Sequence, residues 1–151
     1  MPGRFIEDYS VGEVIKCPSI PFPEDFIIGF AKEYDPQAIH IDKPYAETGP
    51  FGGLIASGFQ TVAASVASFI RLGCFEDVSL AGPGMDEVRW LKPVRPGDTL
   101  TPIVTIAEAR KSKSKPDRGV LRLAWDVRNQ DGDTVLTMFT LTMIKARGGD
   151  A

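Results

Sequence analysis

Two side chains carry most of the chemistry this chain could perform. Asp35 and His40 lie five residues apart in Tyr34-Asp35-Pro36-Gln37-Ala38-Ile39-His40, and His40 is the only histidine in 151 residues. A carboxylate beside an imidazole can move a proton or hold a water at neutral pH. The same spacing fits a structural pair, a half-buried imidazole hydrogen-bonded near a helix-ending aspartate. Spacing alone leaves both readings open. A second feature is Phe51-Gly52-Gly53-Leu54-Ile55-Ala56-Ser57-Gly58-Phe59, which leads into a helix start. Free N–H groups at a helix N-terminus can take an anion or a developing oxyanion. Beside an acid–imidazole pair, such a donor suits a reaction that passes through an enolate. Glycines there equally let a buried helix pack closely.

Other chemistries lack their residues. There is no GxxxxGK[ST], GxGxxG or G-x-S-x-G, and Cys74 has no histidine near it in sequence, so nucleotide loops and Ser or Cys triads have no local support. One histidine with Cys17 and Cys74, and no CxxC, cannot build a Cys/His zinc site of the usual kind. The run Arg110 to Gly119 holds five basic groups in ten residues. It reads as a solvated hairpin tip in preference to a phosphate-docking site. The net charge of −3 makes no electrostatic case for nucleic acid or a membrane surface. With 43% hydrophobic and 25% charged residues, the chain has the composition of a globular domain and not of a disordered one.

The elements that must position these groups can be read in order. A short strand is expected over Val14 to Ile20. A helix follows from Pro23 to about Tyr34, favoured by Glu24 and Asp25 in its first turn and stopped by Pro36. Asp35 to His40 is then a loop, with a helical turn at Lys43 to Glu47. The charge-free stretch Gly49 to Ile70 holds too many glycines, serines and other polar residues for a membrane span. It predicts a helix from Ser57 to Leu72, with Ser57 and Gln60 at capping-box spacing. One face holds Phe59, Val62, Ala63, Val66, Ala67 and Ile70, and the absence of charge predicts burial nearly all round. Strands are expected at Met85–Val94, Thr99–Ala109, Val120–Asn129 and Thr134–Lys145. Leu121, Leu123, Trp125 and Val127 share the buried side of the third. The fold class is therefore α+β, an antiparallel sheet of about five strands around one long helix, in a single domain over residues 1–151. With no apolar leader after Met1, the expectation is a cytoplasmic protein with reduced thiols.

These motifs carry a family likeness. Phe30 to Asp42 resembles the hydratase-2 motif of MaoC-like, (R)-specific enoyl-CoA hydratases, an Asp with a His five residues on. Phe51 to Gly58 looks like the family segment that opens the central helix. Asp86-Glu87-Val88-Arg89-Trp90-Leu91 through Pro93 to Asp98, and Ser114 to Gly119, are similar to further family segments, all in the family order. The resemblance implies a hot-dog fold that dimerises edge to edge. It implies reversible hydration of a trans-2-enoyl-CoA to an (R)-3-hydroxyacyl-CoA. Asp35 and His40 would hold and activate the water, the Gly58 N–H would bind the thioester oxygen, and Ser57 would sit beside it. No metal and no cofactor beyond the CoA of the substrate is implied. The match departs at Tyr34, where the family often has Gly, and at Gln37-Ala38, where it has Asn-Pro. Two other functions stand beside hydration: a hot-dog acyl-CoA thioesterase using Asp35, and a non-catalytic acyl-thioester-binding subunit. The hydratase reading predicts that the Asp35 carboxylate and the His40 imidazole face one cavity near the Gly58 amide, and it would count against it if His40 pointed into packed core away from Gly58.

Overall fold

The computed structural model describes residues 3–148. After a 3-10 turn at Ile6–Asp8, the elements are β1 (Val14–Lys16), β2 (Ile20–Phe22), α1 (Glu24–Tyr34), α2 (Ala38–Ile41), α3 (Lys43–Glu47), α4 (Gly58–Ile70), β3 (Ser79–Trp90), β4 (Asp98–Lys111), β5 (Arg118–Arg128) and β6 (Thr134–Lys145). The strands form one antiparallel sheet in the order β1-β4-β5-β6-β3, with β2 also on β4. This is the hot-dog arrangement, a sheet curled around the long helix α4.

Alternation builds the sheet. Leu121, Leu123, Trp125 and Val127 are all buried on one side of β5, as their spacing predicts. Burying each such side chain contributes about 1.5–3 kcal/mol. Trp125 meets Phe69 of α4 edge-to-face at 5.7 Å between ring centroids, which fixes the helix against the sheet.

Four expectations change. The single strand over Val14 to Ile20 is two, β1 and β2, because Pro18 offers no N–H to the ladder; both still lie along β4. The loop over Asp35 to His40 contains the helical turn α2. Pro36 ends α1, but no further proline intervenes before Pro44, and His40 N–H bonds to Gln37 O. The strand expected from Met85 begins at Ser79 and stops at Trp90. Gly82-Pro83-Gly84 looks like a turn in sequence, yet the ladder absorbs it through register shifts on a strand paired on one side only.

The fourth concerns α4. Its buried residues are Gln60, Thr61, Ser65, Ser68 and Phe69, while Phe59 is 62% and Ile70 44% exposed. The small hydroxyl-bearing side turns inward because the sheet and the β1–β2 break come close: Ser68 Oγ donates to Pro18 O at 2.6 Å. The capping box is also incomplete. Ser57 Oγ accepts from Phe59 N–H at 3.2 Å, but Gln60 Nε2 donates to Phe26 O and ties α4 to α1 instead.

Candidate active site

Three chain segments converge on one carboxylate. Asp35 closes α1, its N–H bonded to Ala31 O. The turn α2 then brings His40 back, so that Nε2 lies 3.3 Å from Asp35 Oδ2. From the third segment, Ser57, the N-cap of α4, donates through Oγ to the same oxygen at 2.7 Å. The other oxygen, Oδ1, accepts from Gln37 Nε2 at 2.7 Å. Ser57 and His40 are buried, His40 to 4% exposure.

The imidazole is oriented from behind. Its Nδ1 is 2.7 Å from Ile55 O. A carbonyl only accepts, so Nδ1 carries the hydrogen. Nε2 therefore faces the carboxylate either as a lone pair or as a second N–H. At 3.3 Å the two groups are close enough to pass a proton between them. The connector that supplies Ile55 is itself held: Ile55 N–H bonds to Ile39 O, and Ala56 N–H to Val94 O at 2.8 Å.

Burial pushes the Asp35 carboxyl up. Hydrogen bonds from Gln37 and Ser57, with His40 beside it, outweigh burial and hold it below the ordinary carboxylate range. Asp35 is therefore ionised at neutral pH. Its charged form stabilises the fold at all pH values above the unfolded carboxyl pKa, and that contribution fades as pH falls through the lower folded value. Gln37 is exposed, so Gln37→Ala removes one of these bonds without emptying the core. The expected outcome is that the acid limb of kcat/KM moves to higher pH. An unmoved limb would show that the Gln37 bond does not tune Asp35.

Gly58 opens α4, and its N–H has no partner within the chain among the described residues. Glycine is required there by space. A Cβ would come within 2.5 Å of Trp90 Cε2 and Nε1, while the indole N–H donates to Gly58 O at 3.0 Å. Gly58 lines a groove of about 460 Å³ together with Phe51, Ala56, Phe59, Trp90, Pro93 and Val94. Asp35 and His40 do not line it. The expectation that Asp35 and His40 face one cavity near the Gly58 amide is not met: the groove holds Gly58 without them, and Ser57, bonded to Asp35 and next in chain to Gly58, is the link between the two parts.

All four sequence candidates, Asp35, His40, Ser57 and Gly58, fall in this one region. Two participants were not singled out for it. Ile55 acts through a backbone carbonyl, which no residue type announces. Trp90 enters the sequence reading only within the segment Asp86 to Leu91 that resembles the family, without a role of its own. No group of three or more His, Cys, Asp or Glu suited to a metal ion occurs among the described residues. Nor is any helix there long and apolar enough to cross a membrane. Cys17 and Cys74 are buried free thiols.

Residues 8–124 match the family described as MaoC like domain. The chain belongs to that family. A relative from Bacillus subtilis, the uncharacterized protein YdeM, is 36% identical over 125 residues, 83% of this chain and 87% of its own. Mesaconyl-CoA hydratase of Cereibacter sphaeroides is 33% identical over 150 residues, 96% of this chain; the match spans 42% of that enzyme. The crystal structure of the MaoC-like dehydratase from Rhodospirillum rubrum superposes with a TM-score of 0.87 at 33% identity, covering 96% of this chain and 99% of that one. At the level of the MaoC-like family, the chemistry is that of hydratases and dehydratases.

Proposed function

We propose that this MaoC-like chain adds water reversibly to a trans-2-enoyl-CoA, giving an (R)-3-hydroxyacyl-CoA. The observation that carries the reading is the meeting of Asp35, His40 and Ser57 at the N-terminus of α4, beside the unpartnered Gly58 N–H. The thioester oxygen accepts from that N–H, and the helix dipole favours the charge that builds there. Polarisation of the carbonyl makes the β-carbon electrophilic. Asp35 and His40 hold the water, and one of them takes its proton as the oxygen bonds to the β-carbon. The enolate then collects a proton at the α-carbon from the same pair, so one water is consumed and the pair ends as it began. Loss of water runs through the same steps in reverse. Proton transfers and an oxyanion donor suffice, so the proposal calls on no metal or redox group and on no cofactor beyond the CoA of the substrate.

The assembly we propose is a homodimer. Strand β3 pairs with β6 on one side only, and Leu80, Met85 and Trp90 on it are exposed. An open, partly apolar edge of that length is a template for a second copy.

Trans-2-enoyl-CoAs of increasing length test the activity while enoyl absorbance and free thiol are followed together. The expected result is loss of absorbance with no thiol released. Thiol release without hydration would favour a thioesterase, and binding without either change a non-catalytic role.

A further inference from the structure

Most polar side chains around the first turn of α4 are already engaged. Ser57 Oγ donates to Asp35 and accepts from Phe59 N–H. The Trp90 indole N–H donates to Gly58 O, and Lys92 Nζ lies 3.0 Å from Asp133 Oδ2. Thr61 is the exception. It lines the same groove as Gly58 and is only 1% exposed. Its hydroxyl has no hydrogen-bond partner among the described residues. A threonine inside a helix commonly gives its proton to the carbonyl three or four residues back. Here both of those carbonyls are taken. Ser57 O accepts from Gln60 N–H and Thr61 N–H, and Gly58 O accepts from Trp90. A hydroxyl left unpaired at a buried position is costly, and valine would fill the same space without that cost.

Position indicates what the hydroxyl can serve. Thr61 follows Gly58 by three residues, so the two share one face of α4. Side chains on a helix lean back toward its N-terminus. The hydroxyl is thereby carried toward the end where the Gly58 N–H is unpartnered. We propose that Thr61 is a second donor to the thioester oxygen, its hydroxyl joining the Gly58 N–H as charge builds there. The proposal rests on the hydration reading for the place of the thioester. A hydroxyl rotates about its C–O bond, so its proton can follow the oxygen from carbonyl to enolate.

Thr61→Val and Thr61→Ser in the full chain test this. Without ligand, Thr61→Val is expected to melt at or above the native temperature, because the hydroxyl it removes has no partner to abandon. With crotonyl-CoA its kcat is expected to fall about 10–100-fold with KM little changed, the worth of a hydrogen bond to a charged group. Thr61→Ser should recover most of that loss. The second readout is the carbonyl ¹³C resonance of [1-¹³C]butyryl-CoA, a saturated thioester that cannot be hydrated. It should move downfield on binding to the native chain, less so with Thr61→Val, and again fully with Thr61→Ser. An unchanged kcat in Thr61→Val overturns the proposal, as does a carbonyl resonance that is the same in all three proteins. So does a Thr61→Val chain that is less stable than native, which would make the hydroxyl a structural group. A carbonyl shift that depends on Thr61 with no turnover of any enoyl-CoA would sink the hydration reading and leave the second donor standing.

Discussion

His40→Asn is expected to abolish most turnover and leave the fold in place. Replacement by alanine would mix two effects, because His40 also donates to Ile55 O. Leaving that buried carbonyl unpaired costs about 1–3 kcal/mol. An asparagine amide can keep the bond to Ile55 while removing the group that exchanges a proton with Asp35. General acid–base catalysis by one placed side chain is worth about 10²–10⁴ in rate. Both variants should therefore lose kcat by that order with KM little changed, and only His40→Ala should lose thermal stability. With a single histidine in the chain, no other imidazole can take over. Turnover by His40→Asn within about tenfold of wild type would remove His40 from the chemistry and return it to a structural role.

The second large effect is expected at Gly58. Gly58→Ala drives a methyl group into the indole of Trp90, which a Cβ would approach to 2.5 Å. Overpacking of this kind costs about 1–3 kcal/mol. Part of the strain can be relieved by turning the first residues of α4, and that moves the N–H assigned to the thioester oxygen. Loss of one oxyanion donor lowers kcat by about 10²–10³. A second substitution distinguishes the causes. In Gly58→Ala with Trp90→Leu the clash is removed, so stability should return, and rate should return with it wherever the N–H resumes its place. A stable and fully active Gly58→Ala would mean that the N-terminus of α4 does not bind the reacting oxygen.

Much of this site could be read from residue types, and the reasons for the rest are physical. Alternation in β5 is a period-2 signal that survives without knowledge of neighbours, so it puts Val127 and Leu121 on the correct side. Asp35 and His40 stand out because His40 is the only histidine in the chain and Asp35 lies five residues before it. The orientation of α4 was not legible. Periodicity defines an apolar stripe on a helix but not what covers it, and here Ser65 and Ser68 are buried while Phe59 and Ile70 remain open. Strand β3 was half hidden because Gly82-Pro83-Gly84 has the composition of a turn, and only an edge strand tolerates it. The orienting bond to His40 comes from the backbone of Ile55, fifteen residues on. No sequence pattern marks a carbonyl.

The central claim is that this chain hydrates an enoyl thioester through the Asp35–His40 pair at the Gly58 N–H. Its most direct test is crotonyl-CoA in D₂O, with the product read by NMR and by its configuration. The account predicts (R)-3-hydroxybutyryl-CoA with one deuterium at the α-carbon, on the same face as the new hydroxyl. No hydration, or a product of S configuration, would contradict it.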